Sequence, residues 1–466
     1  MSFLKREMGD AFVEECGLIG VWNHKEAANL AYLGLYAQQH RGQEGAGIAS
    51  VDDTSGGLYV HKGLGHVSEV FKDFDFTKLP GRAAMGHVRY PTAGENKLAE
   101  VQPFQAEIST GKMALAQNGN LINAKELRKE LIADGAIFVA TSDTESILHL
   151  VARNSRDNTP VQAMIAACKQ TKGAYSILAL FEDRLIGVRD PNGFRPLVLG
   201  ELNGSYVLAS ETCAFDLIGA KFIRDVKAGE IVEISGQKEL KSHFPFEKVK
   251  ETPCIFEYVY FARPDSNVFG RNVYRMRKAM GRELAKEAPV KADYVVPVPD
   301  SGVTAALGFS EVSGVPLELG LIRNHYVGRT FIEPKQSIRD FGVKIKHNAN
   351  SDLLKDKTII VVDDSIVRGT TTKKLIKMLR DAGAKEIHVR ITAPPTTGSC
   401  YYGIDTPTQD QLIAYRMTVP EICEFINADS LAYLTIEGLY RAVESSKGSF
   451  CDACFTGNYP IGTPLS

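Results

Sequence analysis

Residues 359–371 read Ile-Ile-Val-Val-Asp-Asp-Ser-Ile-Val-Arg-Gly-Thr-Thr, and no other stretch restricts the fold of this chain so tightly. The apolar β-branched run has the composition of a buried strand. Two acids end it, and Gly369 followed by Thr370, Thr371 and Thr372 opens into a helical pattern at Lys373-Lys374-Leu375. A strand that hands over to a helix N-terminus through such a loop gathers carboxylates, hydroxyls and backbone N–H groups in one place. The donors suit a phosphate, and the carboxylates suit ribose hydroxyls or a hard cation. A sugar phosphate satisfies both. An acidic loop after a buried strand explains the run and the turn, but not the whole order of residues.

The C-terminal half repeats this alternation. Asp293 to Val298 and Glu386 to Ile391 read as further strands, and 371–382 as a helix closed by Gly383. Strand, crossover helix and strand predict a parallel sheet, whose ligands lie beyond the C-terminal strand ends. The loop Val298-Pro-Asp300-Ser301-Gly302 would share that edge with Asp363 and Asp364. Asp300, Ser301 and Gly302 form a tight turn suited to a pyrophosphate, and Ser301, Asp363 and Asp364 together suit Mg²⁺. Residues 323–342, rich in Arg, Lys and polar groups, read either as a solvated loop or as a cationic lid over phosphates.

The N-terminal half reads differently. Short strands are expected at Leu18 to Trp22, Met113 to Ala116, Ser176 to Phe181 and Arg184 to Val188, with an amphipathic helix at Ala124 to Ile132. This is the pattern of an α+β domain of layered sheets, set before an α/β domain with a parallel sheet. At 466 residues the chain exceeds one ordinary core. The polar stretch Ser235 to Ser242, followed by Pro245 and Pro253, is the expected junction, dividing domains at 16–245 and 246–466. A net charge of −2 gives no reason to expect nucleic acid or an anionic membrane as partner. No apolar run is long enough to span a bilayer and the first residues lack a secretory core, so a cytoplasmic enzyme is expected.

Five of the eight cysteines follow residue 250, a bias toward metal or catalysis in a reducing compartment. Cys451-Asp-Ala-Cys454 is a C-x₂-C pair, with Cys254 and Cys400 as distant companions; a Cys₄ zinc and an iron–sulfur cluster both fit this spacing. Cys423 lies in a helix-like segment and reads as core.

The run 361–371 resembles the PRPP-binding motif of type I phosphoribosyltransferases. That resemblance implies that Asp363 and Asp364 hold the ribose hydroxyls, while Gly369, Thr370 and Thr371 hold the 5-phosphate. Earlier clusters are similar to the class II glutamine amidotransferases, whose fold is that of the N-terminal-nucleophile hydrolases. They are Cys16-Gly-Leu-Ile-Gly20, 40–47 (His-Arg-Gly-Gln-Glu-Gly-Ala-Gly), 86–94, Asn118-Gly-Asn-Leu121 and Ser142-Asp-Thr-Glu145. The likeness implies a propeptide at 1–15, cut between Glu15 and Cys16. A free α-amine of pKa roughly 7.7 could then serve as base for a thiol of pKa roughly 8.5. It further implies that Arg89 binds the α-carboxylate of glutamine and Asp143 its α-ammonium. Asn118 and the N–H of Gly119 would form an oxyanion hole, and Arg41 would belong to the glutamine site and orient the surroundings of the nucleophile. Gln117 stands where the family pattern has His.

Together the halves resemble the glutamine phosphoribosylpyrophosphate amidotransferase family, in its iron–sulfur branch. The resemblance implies ammonia transfer from glutamine to PRPP, Mg²⁺, and a structural [4Fe–4S] cluster on Cys254, Cys400, Cys451 and Cys454. A homotetramer and feedback by purine nucleotides follow from it as well. Two alternatives stay open at this point: another class II amidotransferase such as a glucosamine-6-phosphate synthase, and a PRPP-sensing regulator without catalysis.

Overall fold

The computed structural model describes residues 16–52, 54–90, 97–324 and 347–464. The expected propeptide, and all of the expected lid beyond Asn324, lie outside the described residues.

The N-terminal half is a four-layer stack, helices against sheet against sheet against helices. One sheet has seven strands, in the order Lys221–Asp225, Val198–Leu202, Ser205–Ala209, Gly17–Trp22, Ala83–Arg89, Gly45–Asp52 and Gly57–Leu64. The other has six, running Glu239–His243, Ile231–Ser235, Arg184–Arg189, Gly173–Phe181, Gly111–Leu121 and Phe104–Ile108. Strand alternation sorts the side chains. Leu18, Trp22 and Met85 meet Ala114, Leu178, Leu180 and Leu185 between the sheets. Ile19 and Val21 point the other way, onto helix Ala27–Ala37. Ile177 and Ala179 pack under helices Asp143–Asn154 and Pro160–Cys168. With both faces covered, Gly17–Trp22 and Gly173–Phe181 are buried along their whole length, which is why they read as unbroken apolar runs.

The polar stretch Ser235 to Ser242 is not the junction. It is a hairpin, in which Ser235 pairs with Glu239 and Val232 with Ser242. Its polarity reflects an edge strand, Glu239–His243, whose side chains are largely exposed. The link between halves is the extended segment that follows, 244–253.

The C-terminal half is built on four parallel strands, Tyr294–Pro297, Thr358–Asp363, Glu386–Ile391 and Ser430–Tyr433, in sequence order. Helices Thr370–Asp381 and Val419–Ile426 cover one face around Ile359, Val361 and Leu375. Val273–Glu287, Val303–Ser313 and Ile436–Ala442 cover the other around Val295, Ile360 and Met280. Both acid loops leave C-terminal strand ends on the same edge, as a parallel sheet requires. No helix among the described residues is long and apolar enough to cross a membrane.

Candidate active site

Two sites emerge, one in each half. In the first, a small cleft is lined by Cys16, Arg89, Tyr90, Glu100, Gln102, Gln117, Gly119, Ser142, Asp143 and Thr144. Cys16 immediately precedes strand Gly17–Trp22, and its Sγ lies 3.7 Å from the Tyr90 carbonyl oxygen. Burial pushes its thiol pKa up, while a hydrogen bond from the Tyr90 backbone and the charges of Arg89 and Arg41 pull it back. Arg89 ends the neighbouring strand, Ala83–Arg89. Asp143 opens helix Asp143–Asn154, where Ser142 caps the first turn through the Thr144 N–H. Its carboxylate accepts from the Leu121 N–H at 2.7 Å, yet burial still raises its pKa to about 6. Asn118 is fully buried, and neither oxygen nor nitrogen of its side chain has a hydrogen-bond partner among the described residues. A buried amide with both ends unpaired is costly unless a ligand completes it.

Arg41 stands apart from this lining. It lies behind the nucleophile, 1% exposed, with its Nε donating to the Cys16 carbonyl oxygen at 3.2 Å. Its remaining donors engage Glu211 and Glu257. Burial alone would lower its pKa, but the two carboxylates outweigh that and raise it. The guanidinium thus stands against the backbone of Cys16, held by two buried carboxylates.

Gln117 has a place of its own. Its Nε2 lies 3.4 Å from an Asp143 oxygen, and its Oε1 accepts from the Thr144 hydroxyl at 3.1 Å. Gln102 joins them, donating to Thr144 Oγ1 and accepting the Gln117 N–H. Glu100 accepts the N–H groups of Thr141 and Ser142, fixing the turn before Asp143. Sequence reasoning passed over Glu100 and Gln102, since such residue types carry no signal until folding gathers them.

In the second site, Val298 donates its N–H to the Val362 carbonyl at 2.9 Å, bringing the two acid loops side by side. Ser301 Oγ donates to Asp363 Oδ1 at 2.9 Å, and Ser365 donates to Asp364. A side chain at Gly302 would start 2.2 Å from the Val362 oxygen, so only glycine allows this approach. Burial and then the charge of Asp364 drive the Asp363 pKa well up; burial raises that of Asp364 also. Two carboxylates so disfavoured, beside a hydroxyl, are a donor set that a hard divalent cation would relieve. Gly369 precedes helix Thr370–Asp381, whose first turn holds Thr370 and Thr371 at the positive end of the helix dipole. Asp300 is exposed and paired with Arg323.

Cys254, Cys400, Cys451 and Cys454 share one neighbourhood. Cys254 and Cys451 form a backbone bridge, and the Cys454 carbonyl receives the N–H groups of Thr397 and Gly398, just ahead of Cys400. All four are free thiols. Burial is the first cause that raises each pKa, that of Cys254 to about 11, and each of Cys254, Cys451 and Cys454 is raised further by sister thiols. Among the described residues, no three His, Cys, Asp or Glu side chains already stand in metal-ligand geometry. The thiols thus converge on a region without closing on a point. Cys423 is elsewhere, in helix Val419–Ile426, its thiol donating to the Ala428 carbonyl.

A glutamine-hydrolysing cleft and a phosphoribosyl site in one chain define a two-domain amidotransferase. Comparison with known proteins agrees. Residues 91–216 match the glutamine amidotransferase domain family, and 272–406 the phosphoribosyl transferase domain family. The chain is 52% identical to amidophosphoribosyltransferase 1, chloroplastic, of Arabidopsis thaliana, over 96% of its own length and 79% of the relative's. It is 50% identical to the amidophosphoribosyltransferase of Rhizobium etli, over 97% and 93%. The solved glutamine PRPP amidotransferase of B. subtilis, complexed with ADP and GMP, superposes with a TM-score of 0.90 at 45% identity, covering 96% of this chain and 98% of that one. The chain belongs to the amidophosphoribosyltransferase family. It is a phosphoribosyltransferase with a glutamine amidotransferase half, an enzyme of purine synthesis.

Proposed function

We propose that the two sites work in sequence, Cys16 releasing ammonia from glutamine and the acid loops presenting PRPP to it. The convergence of Cys16, Arg89, Gly119 and Asp143 on one cleft, in a chain that also pairs Ser301 with Asp363, carries this reading. Arg89 and Asp143 hold the α-carboxylate and α-ammonium of glutamine, leaving its amide beside Cys16. The thiolate attacks the amide carbon, and the Asn118 side chain with the Gly119 N–H receives the charge forming on oxygen. The Cys16 α-amine, having taken the thiol proton, returns it to the leaving nitrogen; ammonia departs, and water hydrolyses the thioester to glutamate and the free thiol.

Ammonia then attacks C1 of PRPP, forming the C–N bond as the C–O bond to pyrophosphate breaks; a proton is lost and 5-phosphoribosylamine results. Asp363 and Asp364 orient the ribose, Gly369, Thr370 and Thr371 the 5-phosphate, and Asp300, Ser301 and Gly302 the pyrophosphate. Mg²⁺ held by Ser301, Asp363 and Asp364 would supply neutralisation of the leaving group. Ammonia is already a nucleophile, so positioning suffices without a general base.

The same reading includes cleavage between Glu15 and Cys16, because an amide nitrogen cannot deprotonate the thiol. It takes the domains as 16–245 and 246–466. It also assigns a [4Fe–4S] cluster to Cys254, Cys400, Cys451 and Cys454. Four thiols gathered into one neighbourhood from distant parts of the sequence suit such a group, which would supply a structural tie between the start and the end of the C-terminal half. A cytoplasmic homotetramer under purine-nucleotide feedback completes the proposal, and the ADP and GMP in the B. subtilis relative support the feedback.

One experiment tests the core of it. The protein is incubated with glutamine, with and without Mg-PRPP, while glutamate and pyrophosphate are measured. Glutamine-dependent pyrophosphate release is expected. Glutamate indifferent to PRPP, or silence in both assays, would overturn the reading.

A further inference from the structure

Arg41 is gripped by two buried carboxylates. Glu211 lies 2.5 Å from Nη1, and Glu257 adds contacts of 3.0 Å to Nη1 and 2.8 Å to Nη2. All three side chains are fully buried. Glu211 is itself well supplied, taking hydrogen bonds from His40, the Arg263 N–H and Ser266 as well. Of the two carboxylates, Glu211 belongs to the same half as Arg41. The second comes from 216 residues away, at the head of the short helix Glu257–Phe261 in the transferase half.

Its geometry explains why it is there. A carboxylate that grips both Nη atoms of a planar guanidinium fixes the plane, and with it the direction of the Nε–H bond. That bond points at the Cys16 carbonyl oxygen, 3.2 Å away. Cys16 needs such a hold, because strand pairing with Ala83–Arg89 begins only at Gly17, opposite Val88. Arg41 itself sits in a single short turn, Gln39–Arg41, which does little to fix a long side chain. Glu257 is steadied in turn by Arg195, 3.6 Å from the oxygen that faces Arg41 Nη2.

We propose that Glu257, supplied by the transferase half, is a positioning residue for the glutaminase nucleophile, acting through Arg41 on the backbone of Cys16. The amide half therefore holds its nucleophile in register only while docked on the other half. This rests on the reading of Cys16 as nucleophile, which Cys16→Ser tests separately: a variant that still hydrolyses glutamine ends that reading whatever Glu257 does.

The test compares full-length wild type, Glu257→Gln and Glu257→Asp in glutamine hydrolysis and in ammonia-dependent PRPP amination, the latter reporting a folded transferase half. Glu257→Gln is expected to lower kcat for glutamine by about tenfold or more, as displacement of a reacting group does. The KM for glutamine and the ammonia-dependent rate should stay within about twofold, because neither binding site is touched. Glu257→Asp, which keeps the charge but shortens the reach, should fall between the two and decides by the same split if Glu257→Gln does not fold. Adding Glu257→Gln to Arg41→Lys should cost little beyond Arg41→Lys alone, since both act on one contact. A folded Glu257→Gln enzyme with unchanged kcat, or equal losses in both activities alongside a lowered melting temperature, would overturn the proposal.

Discussion

Asp143 sets the pH limb expected of glutamine hydrolysis. Burial lifts its carboxyl to about 6, and only the ionised form attracts the substrate's ammonium. Glutaminase kcat/KM should therefore fall as pH drops through 6, and Asp143→Asn should remove that limb. The variant should also lose about 10- to 100-fold in kcat/KM, the worth of one charge-assisted hydrogen bond. A pH profile of the two proteins checks this; the same limb in the variant would assign it to another group. At Asn118 the expectation concerns the transition state instead. In the proposed mechanism its amide gains a partner as the oxyanion forms, so Asn118→Ala should lower kcat by about 10²–10³ with little change in KM. Steady-state kinetics decides, and a loss confined to KM would move Asn118 into substrate binding.

The parallel strands bring Asp363 and Asp364 to one edge, where their charges are buried together. Both folded pKa values stand above the unfolded value of about 3.9, so the native state binds more protons than the unfolded chain in between. Stability conferred by these groups is present at low pH and is lost as pH rises through their folded values. A cation reverses the sign by favouring the ionised pair. Mg²⁺ should therefore raise the melting temperature more at about pH 8 than at about pH 5, and Asp363→Asn should blunt that difference. Equal shifts in both proteins at both pH values would rule out this site for the cation. A second contact between elements joins the halves. Asn120 donates to the Tyr401 carbonyl at 3.0 Å, and Gly403 lies against Gly119. At φ +109°, with only 2.8 Å from a new Cβ to the Gly119 Cα, Gly403→Ala should cost about 1–3 kcal/mol and slow glutamine hydrolysis. Thermal melts and the glutaminase assay test both parts, and a neutral substitution would show that the turn yields freely.

Cys254 and Cys451 are bridged where the link from the N-terminal half enters the C-terminal half, and Cys400 leads into the turn that touches Asn120 and Gly119. A cluster on these thiols would thus brace both sites at once. Anaerobic protein should hold about four irons per chain, and glutaminase and ammonia-dependent activities should decline together as iron is lost. Protein that keeps both activities without iron would remove the cluster from the structural account.

Much of this was legible in the sequence. Strands buried on both faces announce themselves as apolar runs, and the acid–acid–glycine–threonine order states its ligand through the chemistry of one loop. Cys16, Asn118, Arg89 and Asp143 were readable as members of a pattern, although nothing local says that they meet. The hairpin at Ser235–Ser242 was misread because an exposed edge strand and a linker have the same polar composition. Gln102 and Glu100 were invisible, since a hydrogen-bond partner is defined by distance in space. Sequence alone determined the two domain classes and the PRPP loop, because these depend on short-range order. Only the tertiary structure decided that Arg41 faces two buried carboxylates and that Glu257 reaches across to it. A buried charge takes whatever partner folding brings near, and no local pattern records that partner.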